Sequence, residues 1–91
     1  MKLEWSRLAL NDFENATDYI AQENPEAARQ VAARILEATR RLGDYPYIGH
    51  PGDDPEQREW LVSRTPYVLI YEIHDDTIYI ARVWHTRRQT D

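Results

Sequence analysis

The sequence predicts a two-layer α+β domain of order β-α-α-β-β-β, with a helix hairpin packed on one face of a four-stranded, mainly antiparallel sheet. Three observations predict it. The last third holds three runs rich in Val, Ile, Tyr and Trp about ten residues apart; two apolar stripes of helical period precede them; and all of this lies within 91 residues, enough for one domain over 1–91.

Lys2-Leu3-Glu4-Trp5 alternates and is short, so it is expected as a strand joining the sheet's edge. A helix over 7–22 follows. Ser6 is placed to cap it, and Ala9, Phe13, Ala16 and Ile20 step by four, three and four to form one stripe. Asn24-Pro25-Glu26 opens a second helix over 25–42: an N-cap, a proline where the missing N–H does no harm, and an acid that complements the dipole. Its apolar face is Ala28, Val31, Ile35, Ala38 and Leu42, and Gly43 is read as its end.

Residues 43–57 carry prolines and glycines too densely for a helix or central strand, and Tyr45, Tyr47 and Ile48 give this segment apolar material with which to dock. It is expected as an ordered loop. Strands follow at 58–64, 67–74 and 77–85, broken at Thr65-Pro66 and at the two-residue turn Asp75-Asp76. The strand at 67–74 is apolar on both faces, with Tyr67, Leu69, Tyr71 and Ile73 on one and Val68 and Ile70 on the other. A sheet with helices on one face normally turns a polar side outward, so a covering element is expected on the second face, most economically a partner chain.

Composition narrows the chemistry. There is no cysteine, so disulfide and thiolate chemistry are absent, and no apolar run approaches the ~20 residues of a bilayer span. A cytoplasmic protein without membrane attachment is the expectation. The formal net charge is −5, against a broad nucleic-acid surface. Positive charge is local: Arg82, His85, Arg87 and Arg88 cluster at the end of the chain with no acid among them. Three scattered histidines offer no metal-ligand spacing, and no phosphate-binding glycine loop or nucleophile elbow is present, so neither a metal nor a cofactor is expected.

The succession of a short strand, a helix hairpin, Leu42-Gly-Asp-Tyr-Pro46, Arg58-Glu59, Tyr67-Val-Leu-Ile-Tyr71 and Arg82-Val-Trp-His-Thr-Arg-Arg88 resembles the RelE/ParE superfamily of bacterial type II toxins over nearly the whole chain. The resemblance implies a toxin neutralised in a hetero-oligomeric complex by a small cognate antitoxin. Trp60, Val68, Ile70 and Trp84 are the candidate antitoxin contacts, and Arg82, His85, Arg87 and Arg88 the candidate target contacts. ParE-like members poison DNA gyrase, whereas RelE-like members cleave mRNA on the ribosome. Where the RelE pattern has cations this chain has Glu59, Leu61 and Val68, which cannot stabilise a phosphorane. The gyrase-directed branch is therefore expected, with no catalytic residues. A ribonuclease built on Glu59, Arg64 and His85, and a toxin fold that has lost toxicity and persists as a binding protein, are the alternatives.

Overall fold

A computed structural model describes residues 1–87. Strand β1 (Lys2–Trp5) leads into helices α1 (Arg7–Ala21) and α2 (Pro25–Asp44), followed by β2 (His50–Pro51), β3 (Arg58–Leu61), β4 (Tyr67–His74) and β5 (Thr77–His85). The sheet order is β1-β5-β4-β3-β2. The last three strands form the expected antiparallel meander. β1 joins the edge as expected, in parallel with β5. One feature of the sheet differs from expectation: the 43–57 loop contributes a fifth strand, the two-residue β2 on the opposite edge.

Capping follows the sequence. Ser6 Oγ accepts from the Ala9 amide at 3.0 Å and Asn24 Oδ1 from the Ala27 amide at 3.0 Å, each satisfying a helix-start donor. Gly43 does not end α2: no glycine has positive φ, and the helix runs on to Asp44, with the Tyr45 amide still donating to the Arg41 carbonyl. Pro46 is the actual stop, because a residue before proline is forced out of the helical region and Tyr45 is at φ −133°, ψ 75°. The strand expected over 58–64 ends at Leu61. Val62 is buried in the core, Arg64 turns with φ 62°, and Thr65 Oγ1 both donates to the Val62 carbonyl and accepts from the Tyr67 amide. These contacts build a turn before Pro66 is reached. At the other hairpin Asp75 has φ 55°, and His74 pairs with Thr77 as a two-residue turn requires.

The core lies between the helix pair and one face of the sheet. Ala9 of α1 and Ile35, Ala38 and Leu42 of α2 meet Leu69, Tyr71, Ile78, Ile80 and Val83, with Trp5, Phe13, Val31 and Trp60 at its margin. On the second face Val68 and Ile70 are only 7% and 3% exposed in the isolated chain. Their position explains this. β4 is central, so Val68 stands between Leu61 and Trp84, and Ile70 between Glu59 and Arg82. Cross-strand neighbours thus supply the cover that was expected from a further element, and the apolar surface remaining on that face is at its flanks, on exposed Leu61 and Tyr79.

Candidate functional site

Register decides where each candidate residue points. β5 carries a bulge: Ile70 pairs with Arg82 but Tyr71 pairs with Ile80, leaving Ala81 over. β1 ends at this point, so beyond Ile80 the outer edge of β5 has no strand neighbour. Two α1 side chains occupy it. Ser6 Oγ donates to the Ala81 carbonyl at 2.8 Å, and Asp12, 8% exposed, accepts from the Val83 amide at 3.0 Å and from Arg82 Nε and a terminal nitrogen at 2.8 and 3.0 Å. Edge strands need such protection. The Arg82 guanidinium also lies 5.2 Å from the centre of the Trp84 ring, and its pKa is raised, first by the hydrogen bond it donates to Asp12.

Arg82, a candidate target contact, is therefore engaged within the fold. His85 and Arg87 sit apart from it. They line a cleft of about 650 Å³ together with Asn15 and Tyr19 of α1, and Pro66 and Tyr67 at the start of β4. The His85 ring meets Tyr67 edge-on at 5.3 Å, and its Nδ1 accepts from the Arg87 amide at 3.1 Å. That acceptor role puts the proton of the neutral ring on Nε2. Arg88 lies outside the described residues.

The three candidate ribonuclease residues do not come together. Glu59 pairs with Ile70, whereas His85 pairs with Tyr67, three residues away along β4. Odd separation places the two side chains on opposite faces of the sheet. Arg64 sits in the β3–β4 turn. The candidate antitoxin contacts are divided in the same way. Val68, Ile70 and Trp84 share the second face, while Trp60, paired with Leu69, is on the helix face against α2.

Sequence reasoning missed Asp12, Tyr71 and Arg58. The signal for Asp12 was an acid on the buried stripe of α1, three residues after Ala9 and one before Phe13. Tyr71, fully buried, holds the 43–57 loop: its hydroxyl donates to the Pro46 carbonyl at 2.8 Å and accepts from the Gly49 amide at 3.0 Å. Arg58 donates to the Tyr47 and Gly49 carbonyls and stacks over the Tyr47 ring at 5.4 Å. Gly49 is there because nothing larger fits: a Cβ would stand 2.6 Å from the Tyr71 hydroxyl and 2.7 Å from the Glu59 carbonyl oxygen. Among the described residues, no group of three or more His, Asp or Glu is placed to hold a metal ion, and no helix is long and apolar enough to cross a membrane.

This architecture, two helices on one face of an open mixed sheet, is that of a solved structure titled a chromosomal ParDE TA system from P. aeruginosa. The match has a TM-score of 0.84 and 25% identity, covering 93% of this chain and 95% of that one. At the sequence level the chain is 34% identical over 88 residues to Y4kP of Sinorhizobium fredii, named as a toxin, covering 97% of this chain and 91% of the relative. It is 37% identical over 84 residues to the protein named Toxin RelE2 of Caulobacter vibrioides, covering 92% and 93%. Residues 3–90 match the model of the ParE toxin of type II toxin-antitoxin systems. The chain belongs to that family, and the expected RelE/ParE fold and toxin class are correct. A cognate antitoxin is accordingly its partner.

Proposed function

We propose that this toxin acts by binding DNA gyrase and carries no catalytic chemistry of its own, and that its antitoxin holds it inactive in the cytoplasm as a hetero-oligomer. The observation that carries this reading is the separation of Glu59 from His85 on opposite faces of the sheet. General acid–base catalysis of strand cleavage needs its groups within hydrogen-bond reach of one phosphate, and a sheet lies between these two. The second face also presents Glu59, Leu61 and Val68 where phosphorane stabilisation would need cations.

Target contact is assigned to His85 and Arg87, which line the α1–β5 cleft, and to Arg88, next in sequence, with Arg82 serving to hold the strand end that presents His85. For the antitoxin, Trp84, bordering the sheltered Val68 and Ile70, offers a half-buried aromatic anchor on the second face; Trp60 offers another on the α2 side. The test is induction without the antitoxin. Growth arrest with filamentation and gyrase-linked DNA breaks, ribosome-bound mRNA remaining intact, is the expected result, with arrest reduced in R87A/R88A. Cleavage of mRNA in the ribosomal A site, abolished by His85→Ala or Arg64→Ala, would overturn it.

A further inference from the structure

An open sheet edge is a template for pairing with another strand, and this fold protects two of its three edge stretches. β2 is two residues long and ends in Pro51, which has no amide to donate. Beyond Ile80 the outer side of β5 is taken by Ser6 and Asp12. β1 carries neither proline nor bulge, and Lys2, Leu3 and Glu4 are exposed.

Pairing with β5 fixes the backbone phase of this edge. The Lys2 amide donates to the Asp76 carbonyl at 2.8 Å and the Ser6 amide to the Ile80 carbonyl at 2.9 Å. Even-numbered residues of β1 therefore turn their amide and carbonyl toward β5, while Leu3 and Trp5 turn theirs outward. Among the described residues these outward groups meet no backbone partner. The side chains alternate as well. Leu3 and Trp5, opposite Ile78 and Ile80, lie on the helix face, and Lys2 and Glu4, opposite Thr77 and Tyr79, lie on the second face.

Charge selects what can join. A Lys on an edge ordinarily deters pairing, but Glu4 follows it on the same face, so deterrence becomes a choice of register. A second copy of β1, antiparallel and related by a two-fold axis, must set one of its own outward-turned residues against Leu3. Three registers do so. Pairing centred on Lys2 opposes two lysines, and pairing centred on Glu4 opposes two glutamates, both unfavourable. Pairing centred on Leu3 sets Lys2 of each copy opposite Glu4 of the other, at the closely spaced positions between hydrogen-bonded pairs. The two Leu3 residues then exchange both backbone bonds, and each Trp5 amide reaches the Met1 carbonyl of the other copy. On the helix face the two Leu3 side chains meet across the axis. The α2 flank beside them is apolar: a Cβ on Gly43 would stand 4.0 Å from the Met1 carbonyl oxygen, and Leu36, two helical turns earlier on that flank, is 50% exposed.

We propose that β1 is a self-pairing edge through which two copies of this chain associate, antiparallel about Leu3, joining their two five-stranded sheets into one. The two β5 strands then run in opposite directions, so the His85 ends lie at opposite sides of the assembly and both remain open to a target. The proposal presupposes neither gyrase nor any particular antitoxin.

So short a pair buries less than the ~1,200 Å² of a standard interface, and a dissociation constant on the order of 100 µM is expected. The test is sedimentation equilibrium of the full-length chain without an N-terminal tag, from tenfold below to tenfold above that concentration. The buffer holds ~0.15 M salt, which screens the net charge of −5 on each copy. Hydrogen exchange at the Leu3 and Trp5 amides should slow as the dimer fills. K2E and E4K should each weaken association about tenfold or more, because each sets like charges opposite one another twice. K2E/E4K reverses the pair and should restore association to within about threefold, a rescue that a merely damaged fold would not show. The chain has no cysteine, so K2C/E4C should cross-link to a dimer on mild oxidation, at least tenfold faster than K2C or E4C alone. A monomer across the whole range, no rescue in K2E/E4K, or single-cysteine variants that cross-link as fast as the pair would overturn the proposal. So would protection of the Leu3 amide that arises on adding the antitoxin and not with concentration, since the edge would then belong to a strand of another protein.

Discussion

Replacing Asp12 by alanine should be the most damaging single polar substitution in this fold. The carboxylate is 8% exposed and accepts three hydrogen bonds, two from Arg82 and one from the Val83 amide. Removing one partner of a fully buried ion pair costs about 3–5 kcal/mol, because the remaining charge is left unpaired. Arg82 is not fully buried. Its side chain is 31% exposed, so water recovers part of its solvation and the figure falls to about 2–3 kcal/mol, part of it from the stranded Val83 amide. In a domain of this size each 1 kcal/mol shifts the melting temperature by about 4–8 °C, so D12A should melt about 8–24 °C below wild type. Asp12→Asn should lie near the alanine variant, since its amide group would turn a donor toward donors. The assay is thermal and urea unfolding followed by circular dichroism, with a cycle through R82A and D12A/R82A. The double variant should be no less stable than D12A, since the unpaired charge has gone. A loss below about 0.5 kcal/mol in D12A, or strict additivity in the cycle, would refute the reasoning.

Three further outcomes follow from other contacts. Gly49→Ala should destabilise by about 2 kcal/mol or more in urea unfolding, since the new Cβ meets both the Tyr71 hydroxyl and a backbone carbonyl; wild-type stability would show that the loop yields. Tyr71→Phe should cost about 2 kcal/mol and speed amide exchange at Gly49, because its hydroxyl serves both the Pro46 carbonyl and the Gly49 amide. The pair Glu72–His74, at 2.8 Å, sets a pH window. His74 is raised, first by its hydrogen bond to Glu72, and contributes stability that is complete below about pH 6.5 and lost as pH rises through its folded pKa. Glu72 is lowered, first by Gln57 and then by His74, and contributes stability present above the ordinary carboxylate range and lost as pH falls through its folded pKa. The difference between wild type and His74→Ala should thus be largest at mildly acid pH and vanish on the alkaline side, measured as melting temperature against pH; a difference growing with pH would contradict it.

Helix caps, apolar stripes and the β4–β5 turn were legible in the sequence because each depends on residues within four positions of one another: Ser6 with Ala9, Asn24 with Ala27, Asp75 with its neighbours. The features that were not legible join distant parts of the chain. Asp12 reaches Val83 and Arg82 across some seventy residues, and Tyr71 reaches Pro46 and Gly49 across more than twenty. The local pattern around Asp12 marks an acid on a buried helix stripe but does not name a partner some seventy residues away. The apolar second face was read correctly as a pattern and incompletely as physics. Alternation says that Val68 and Ile70 share a face; only strand order says that β4 is central and that flanking side chains shelter them. For the candidate site, the cationic tail was visible as composition, but its partition between Arg82, bound to Asp12, and His85 with Arg87 at a cleft depends on a bulge that no residue type announces.

That bulge controls the functional half of the molecule. Ile78 and Ile80 point into the helical layer, and unbroken alternation would send Arg82 and Trp84 after them while turning Val83 and His85 outward. The extra residue, Ala81, resets the phase. Val83 then continues the core and His85 packs on Tyr67 beside the α1 cleft, while Arg82 and Trp84 pass to the second face, flanking Ile70 and Val68. The same residue marks where β1 stops and where Ser6 and Asp12 take over the strand's outer edge. A tail held by backbone pairing on one side and by two helix side chains on the other leaves the β5 end firmly placed against α1. His85 therefore projects from a fixed strand end, and its placement depends on a carboxylate of α1 that lies on the far edge of the strand. An Asp12 variant should accordingly lose growth arrest in parallel with its loss of folded protein, whereas an Arg87 and Arg88 variant should lose more arrest than its change in melting temperature accounts for.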